Sequence, residues 1–517
     1  MKQKLAAIDI GTNSFHLIVV GIDELGHYEV VDNEKEVIRL SEGSSGDIKI
    51  IQEVAIQRAI NALKKFVGIA ESYNAEITAV ATSAVREAEN KIDFLKRVYH
   101  ETGIHVEVIS GIEEGRLIYQ GVKQSVPTNN KKVLCIDIGG GSTEFVIGQD
   151  NKIIYANSLK LGAVRLTKKY FPDYIITQER IEKCEKWVEG VLYPLIDLVK
   201  KNNVELFIGS SGTIMAAGQM IKYLYDKDNS GSILNNYVFT FEELKKIKTK
   251  ILAGKKPKDR KKIKGLDEKR ADIIPAGIIL LSKIFESLQI NEMIISDYAL
   301  REGLIFETIN KKTNISLQKQ NDDIRSTSVL KLARSCNYDL AHCLNVAKIA
   351  EALFEQLSEL HLLPSEYREY LNAAATLHDI GYHIAHSKHH KHSQYIIVNS
   401  ELMGFNENEI RTIACVARYH RKSHPKKSHE EYMLLPKEWR VVVQKLSAIL
   451  RVADALDRTH KNLVDKIVVK HNEKEVQFFV NSSLQELEIE LWSLNRRKAL
   501  FEEIFNKKIT VYNLAHD

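Results

Sequence analysis

The chain is poor in the features that mark secreted or membrane proteins. Its five cysteines, Cys135, Cys184, Cys336, Cys343 and Cys415, are scattered over 517 residues without a Cys-x-x-Cys spacing, which leaves buried, reduced thiols as the plain reading. No apolar run approaches the ~20 residues a membrane span needs. Asp9 interrupts the first apolar stretch, so no signal peptide is expected there. Prolines are few (8), no tract is of low complexity, and the net charge of +5 is too mild to announce a polyanionic partner by itself. A cytoplasmic protein is expected. What is present is ordinary for a globular chain, 44% apolar and 27% charged. The length exceeds one core and predicts three or four domains.

The most informative stretch is KKVLCIDIGGGSTEFVIG. Val133 to Ile138 is apolar and branched, as in a buried strand, and Phe145 to Ile147 reads as its hairpin partner. Between them three glycines permit a tight turn whose N–H groups face outward, an anion nest. Asp137 precedes the turn and Glu144 follows it. Carboxylates beside a phosphate repel it unless a cation lies between, so Mg²⁺ or a relative is implied. The plain alternative is a Gly-rich hairpin with surface acids. A second copy at the N-terminus, KLAAIDIGTNSFHLIVVG, argues against it. Aligned at Asp9 and Asp137, the copies share Asp, Ile, Gly and, three residues on, Ser14 and Ser142. So distant a repeat predicts a duplicated domain whose two hairpins face one cleft.

These hairpins look like the paired phosphate loops of the actin and sugar kinase superfamily. The wording DIGTNSFHL, ATSAVR, SGIEEGRLIYQG, DIGGGSTE, GSSGT and SDYALREGL resembles the Ppx/GppA phosphatase family, in its order and over essentially the whole chain. The resemblance implies an α/β fold of two actin-like (ribonuclease H-like) lobes, at 1–125 and 126–310. It implies hydrolysis of a terminal phosphoanhydride, in inorganic polyphosphate first and guanosine pentaphosphate (pppGpp) second, and it suggests a homodimer. The turns Gly11, Thr12, Asn13, Ser14 and Gly139, Gly140, Gly141, Ser142 would hold phosphates, and Asp9, Asp137 and Glu144 would hold Mg²⁺ directly or through water.

Other residues follow in chain order. Arg86 lies just past the strand EITAVA, where α/β folds place ligand contacts and an arginine can fork a phosphate. A solvated arginine is the alternative, and the resemblance makes Arg86 a substrate contact. Glu113 and Glu114 open a helix, where acids are stabilised in any case. The resemblance assigns the catalytic base to Glu114 and leaves Glu113 a structural partner. A base there would orient water in line with the terminal phosphorus. The turn Gly209-Ser210-Ser211-Gly212-Thr213 offers further amides, with Gly209, Ser211 and Gly212 as candidate contacts. Asp297 and Arg301 match the family's pattern. The run GKKPKDRKKIKG (Lys255, Lys256, Lys258, Arg260, Lys261, Lys262, Lys264) is either a solvated face or a guide for a long polyanion. It interleaves no aromatics, so nucleic acid is not the expected partner.

After an apolar-poor linker near 310–325, the chain reads as helical over 320–465, then as a small α+β cap over 466–517. The helices carry His342, His378-Asp379, His420 and Asp454. This set resembles the metal site of the HD phosphohydrolase family, with His392 and His420 as candidate ligands of a second metal. Adjacent imidazole and carboxylate suit Mn²⁺ or another divalent ion. For each histidine alone, a core or surface role is the plain reading. The intact set implies metal binding and opens the prospect of a separate phosphohydrolase activity.

Overall fold

The computed structural model describes residues 3–23, 28–43, 49–225, 233–313, 324–400, 402–482 and 487–513. The expected linker falls mostly on 314–323, outside the described residues. The chain divides into two compact units, Met1–Asn321 and Asp322–Asp517.

The first unit opens with β1 (Gln3–Ile10), β2 (Ser14–Ile22), β3 (Tyr28–Val37), α1 (Glu53–Ser72), β4 (Glu76–Ala81), α2 (Ser83–Glu87), α3 (Lys91–Thr102), β5 (Val106–Val108) and α4 (Gly111–Lys123). It continues with β6 (Val133–Ile138), β7 (Thr143–Gln149), β8 (Lys152–Leu159), α5 (Ala163–Tyr170), α6 (Gln178–Lys201), β9 (Leu206–Ser210), α7 (Ser211–Tyr225), β10 (Val238–Thr240), α8 (Phe241–Ala253), α9 (Pro257–Arg260), α10 (Ile274–Ser287), β11 (Glu292–Ile295) and α11 (Leu300–Thr313). One sheet has the order β3-β2-β1-β4-β5, and the other repeats it as β8-β7-β6-β9-β11, with β10 added at the edge. In each, a three-stranded antiparallel meander is followed by parallel strands. The duplication is therefore structural as well as sequential.

Strand periodicity sorts the side chains of β1 and β6. Ala6, Ile8 and Ile10 face a core with α1 and α3, whereas Leu134, Ile136 and Ile138 face one with α6, α7, α8 and α10. The alternate residues, Leu5 and Ala7 of β1 and Val133 and Cys135 of β6, meet α4 and α11 in a core shared by both sheets. Asp9 and Asp137 are the next residues in those two alternating rows. Each therefore points to the layer between the sheets, where it opens into a cleft. α11 closes this layer on α4. A Cβ at Gly303 would lie 1.9 Å from Leu117 O, and one at Gly121 would lie 2.1 Å from Ala299 O, so both helices carry glycine where their backbones meet.

The second unit is helical from α12 (Ile324–Ser335) through α13 (Leu340–Gln356), α14 (Ser358–His361), α15 (Tyr367–Leu377), α16 (His389–Val398), α17 (Glu407–Arg418), α18 (Glu430–Met433) and α19 (Lys437–Ala455). A three-stranded sheet, β12 (Lys466–His471), β13 (Glu475–Asn481) and β14 (Lys508–Asn513), follows with α20 (Glu488–Arg497) and α21 (Ala499–Phe505). Among the described residues no helix is long and apolar enough to cross a membrane.

Candidate functional site

In the first unit a cleft of about 480 Å³ is lined by Asp9, Gly11 to Ser14, Glu114, Asp137, Gly139 to Ser142, Ser211 and Gly212, together with Lys35, Arg270, Asp297 and Arg301. The two hairpin turns meet here. A Cβ on Gly140 would come within 3.1 Å of Thr12 Cβ, and one on Gly141 within 2.9 Å of Thr12 Oγ1. The turns are also built alike, because a Cβ on Gly11 or Gly139 would crowd the carbonyl of Ser14 or Ser142 at 2.8 and 3.2 Å.

Helix α5 orients the glycine turn. The N–H groups of Ala163 and Val164 donate to the carbonyls of Gly139 and Gly140 (3.0 and 2.9 Å), and Arg165 Nε donates to Gly141 O (2.7 Å). In a trans peptide the carbonyl and the following N–H point opposite ways. The amides of Gly140, Gly141 and Ser142 are thus directed away from α5, while Gly139 N–H is used within the turn by Ser142 O (3.0 Å). Three of the four expected amides in this turn remain suited to phosphate.

Four carboxylates crowd this layer. Asp137 accepts from Ser210 Oγ (2.7 Å), Glu144 from Ser158 Oγ (2.7 Å) and Glu114 from Arg86 Nη1 (2.8 Å). Asp9 Oδ1 is buried with no partner. Burial, then the charge of Glu114, pushes Asp9 up to about 7. Burial takes Glu114 to about 7 against the pull of Arg86, and Asp137 to about 6 against the Ser210 and Ser211 hydroxyls. Glu144 is driven well above the carboxylate range by burial and then by Glu114 and Asp137. So many acids cannot all ionise in a dry pocket without a counter-ion. The orphaned Asp9 oxygen beside Asp137 fits a hard divalent cation.

The geometry also corrects parts of the sequence reading. Arg86 Nη1 donates to Glu114 and to Ile109 O (3.0 Å), so this arginine holds the proposed base. Glu144 lies behind the lining, buried on Ser158. Gly209 is a packing residue, since a Cβ there would strike Met293 Sδ at 2.4 Å. Within the basic run Arg260 is fully buried, donating to Ala271 O (2.6 Å) and Gly254 O (2.7 Å), while the lysines lie at the surface. Glu113 pairs with Arg116 at 2.6 Å. Sequence reasoning missed Arg270, packed on Gly212 with a buried, unpartnered Nε, and Lys35, opposite His16 across β2 and β3. Both lie outside the motifs, so no motif points to them.

In the second unit His342, His378, Asp379, His420 and Asp454 converge. His342 Nε2 lies 3.9 Å from Asp379 and 3.8 Å from Asp454; His378 Nε2 lies 3.6 and 3.8 Å from the same two. His420 Nε2 and His389 Nε2 approach Asp379 Oδ1 at 3.6 and 3.2 Å. His389 therefore stands where His392 was expected, and His392, further along α16, belongs to none of the metal-sized groups. The run HSKHHKHSQ offers several histidines at helical spacing, and only the entry into α16 decides which faces inward.

Each of these imidazoles is fixed through Nδ1. His378, His420 and His389 donate to the carbonyls of Ala375 (2.6 Å), Ala417 (2.6 Å) and His386 (3.1 Å), and His342 Nδ1 pairs with Asp457 (2.7 Å). A carbonyl only accepts, so the proton of His378, His420 and His389 sits on Nδ1 and leaves Nε2 an acceptor, as a metal ligand requires; His389 Nε2 also meets Arg421 Nη1 at 3.3 Å. The Nε2 atoms of His342 and His378 and Asp379 Oδ1 are buried without hydrogen-bond partners. Burial opposes the charge on Asp379, yet His378, His389 and His420 hold it well below the usual range. Burial is likewise outweighed at Asp454, which Arg497 of the cap and nearby histidines bring to about 2. The donor set fits two divalent ions sharing Asp379.

Known proteins bear on both units. Residues 18–312 match the Ppx/GppA phosphatase family, and residues 324–498 match domain III of that family. A guanosine-5'-triphosphate,3'-diphosphate pyrophosphatase of Photobacterium profundum is 30% identical over 448 residues, covering 86% of this chain and 84% of that protein. An exopolyphosphatase from Cytophaga hutchinsonii ATCC 33406 has 30% identity and a TM-score of 0.56, covering 60% of this chain and 98% of its own. The Aquifex aeolicus member of the family aligns at 29% identity and a TM-score of 0.51, covering 60% and 99%. A duplicated acid-and-glycine cleft and matches along nearly the whole sequence lead to one conclusion: the chain belongs to the Ppx/GppA phosphatase family.

Proposed function

We propose that the first unit removes the terminal phosphate of a polyphosphate chain by attack of water on its phosphoanhydride. The observation that carries this reading is the meeting of two like turns around four carboxylates, three of them buried and the fourth, half-buried Asp9, with an orphaned oxygen. Amides of Gly140, Gly141 and Ser142 bind phosphate oxygens, and Arg270, Arg301 and Lys35 offset the charge of the chain. Asp9 and Asp137 would hold Mg²⁺, with Glu144 behind them. When bound, the ion neutralises charge on the transferring group and its bridging oxygens. Glu114 has its pKa near 7 and is aimed by Arg86, so at neutral pH it can orient water and take its proton. Phosphate release from long-chain polyphosphate with Mg²⁺ tests the reading, and absence of release defeats it.

Hydrolysis of pppGpp is the second reading. It is favoured by apolar residues at one part of the cleft, Met215, Ala216, Leu234 and Ile273, beside Gln219 and Arg270, which suit a purine better than a bare phosphate chain. The 30% identical relative is named for that nucleotide. Side-by-side assays rank the two by kcat/KM.

For the second unit the proposal is a two-ion centre of Mn²⁺ or a similar metal, held by His342, His378, Asp379 and Asp454 and by Asp379, His389 and His420. Its carboxylate and imidazoles would position a phosphate ester for hydrolysis. Metal analysis of the full chain, alone and as Asp379→Ala, tests the centre. A cytoplasmic homodimer is proposed on the family resemblance, and sedimentation tests the oligomeric state.

A further inference from the structure

Arg165 and Glu87 do not line the cleft, yet they join its two halves. Arg165, the third residue of α5, is buried. Its Nε donates to Gly141 O at 2.7 Å and its Nη2 to Glu87 Oε1 at 2.7 Å. Glu87 belongs to the first lobe, at the end of α2, and also accepts from Ser83 Oγ at 3.2 Å and pairs with Lys160 at 3.1 Å. A Cβ on Gly141 would reach 2.4 Å from Ser83 Oγ, so helix and turn are in close contact. The neighbour of Glu87 on α2 is Arg86, which holds Glu114. One short helix thus carries, on adjacent residues, a grip on the proposed base and a grip on the phosphate turn of the opposite lobe.

We propose that Arg165 and Glu87 are a coupled positioning pair, in which Arg165 sets the Gly141–Ser142 peptide and so aims the Ser142 amide at phosphate, while Glu87 sets Arg165 from across the cleft. The proposal rests on the reading of this cleft as a phosphoanhydride hydrolase. A buried guanidinium needs its donors paired. Replacing Glu87 therefore frees Arg165 to leave Gly141, after which the peptide can rotate and its amide lose aim. Lysine cannot substitute for Arg165, because one ammonium cannot match a planar fork that reaches a carbonyl and a carboxylate at once. Alignment of the base and of the turn would then change together as the lobes move.

The test compares wild type, Glu87→Gln, Arg165→Lys and the double variant in the full chain. It reads phosphate release from polyphosphate and pppGpp, calorimetric binding of tripolyphosphate with Mg²⁺, and melting temperature. The expected result is a kcat about tenfold lower in Glu87→Gln and about a hundredfold lower in Arg165→Lys, the size of losing an oriented donor. The double variant is no worse than Arg165→Lys, because the two act as one unit. Arg165→Lys also weakens tripolyphosphate binding about tenfold. Multiplying losses in the double variant, or a kcat of Glu87→Gln within about threefold of wild type, overturns the pairing. So does a loss confined to melting temperature. If wild type releases phosphate from neither substrate, the reading of the site fails by itself, and tripolyphosphate binding alone judges the pair. Affinity of Arg165→Lys within about threefold of wild type then overturns it.

Discussion

The cleft of the first unit and the histidine cluster of the second solve one electrostatic problem in opposite ways. Both bury several ionisable groups with orphaned polar atoms. In the cleft, acids face acids, and Asp9, Glu114, Asp137 and Glu144 are all pushed upward. In the cluster, acids face imidazoles and Arg497, and Asp379 and Asp454 are pushed downward. The first arrangement is incomplete until a cation arrives and protons leave. In the second, Arg497 pairs with Asp454, and the Nδ1-anchored imidazoles turn their ligand atoms toward the acids. Oxygen ligands with much residual protonation suit a weakly held, exchangeable Mg²⁺. Preset imidazoles with outer-shell partners suit a tightly held transition metal.

The largest effect that would sharpen this contrast is loss of the proposed base. Glu114→Gln should lower phosphate release by about a hundred- to ten-thousand-fold while metal content of the second unit stays unchanged. Steady-state assays beside elemental analysis check both halves, and near-normal turnover would break the assignment of Glu114. Next in size, Asp457→Asn removes the carboxylate behind His342 and should weaken metal binding in the second unit about ten- to a hundredfold. Competition with a chelating dye measures it, and unchanged affinity would show that His342 needs no outer partner.

A third prediction concerns pH. Asp9 and Glu114 have folded pKa values near 7, above those of exposed carboxyls, so between about pH 4 and 7 the folded state binds more protons than the unfolded chain. Without divalent ions, the first unit should lose stability as pH rises through that window, and Mg²⁺ should restore it. The cluster runs the other way. Asp454 is depressed to about 2, so its contribution is present above pH 4 and lost as pH falls toward 2. Denaturant titrations at pH 5 and pH 7.5, with and without Mg²⁺, check the first sign; a metal-free chain more stable at the higher pH would contradict it. The smallest effect is expected on the metal of the second unit. A brief chelator wash that stops turnover until Mg²⁺ returns should leave that metal in place, and elemental analysis after the wash checks it.

Much of the first site was legible because its logic is local. Aligning the two strand-and-turn copies matched Asp9 with Asp137, and the glycines announced a turn that must bend sharply. The same local rules failed where identity depended on what lay opposite. Gly209 looks like Gly139 in sequence but faces Met293, and Arg260 sits in a run of lysines but is swallowed among carbonyls. Arg86, singled out at a strand end as a phosphate contact, donates through Nη1 to the carboxylate of Glu114, a partner no local pattern names.

The sequence by itself determined the duplication, the paired aspartates, the glycine turns and the ordered set of histidines and aspartates, because each is a matter of residue type at short spacing. Tertiary structure alone decided that His389 and not His392 turns inward, that Arg165 crosses to Glu87, and that Arg497 of the cap reaches Asp454. Those are meetings of residues brought together by packing, and no period along one helix or strand encodes them.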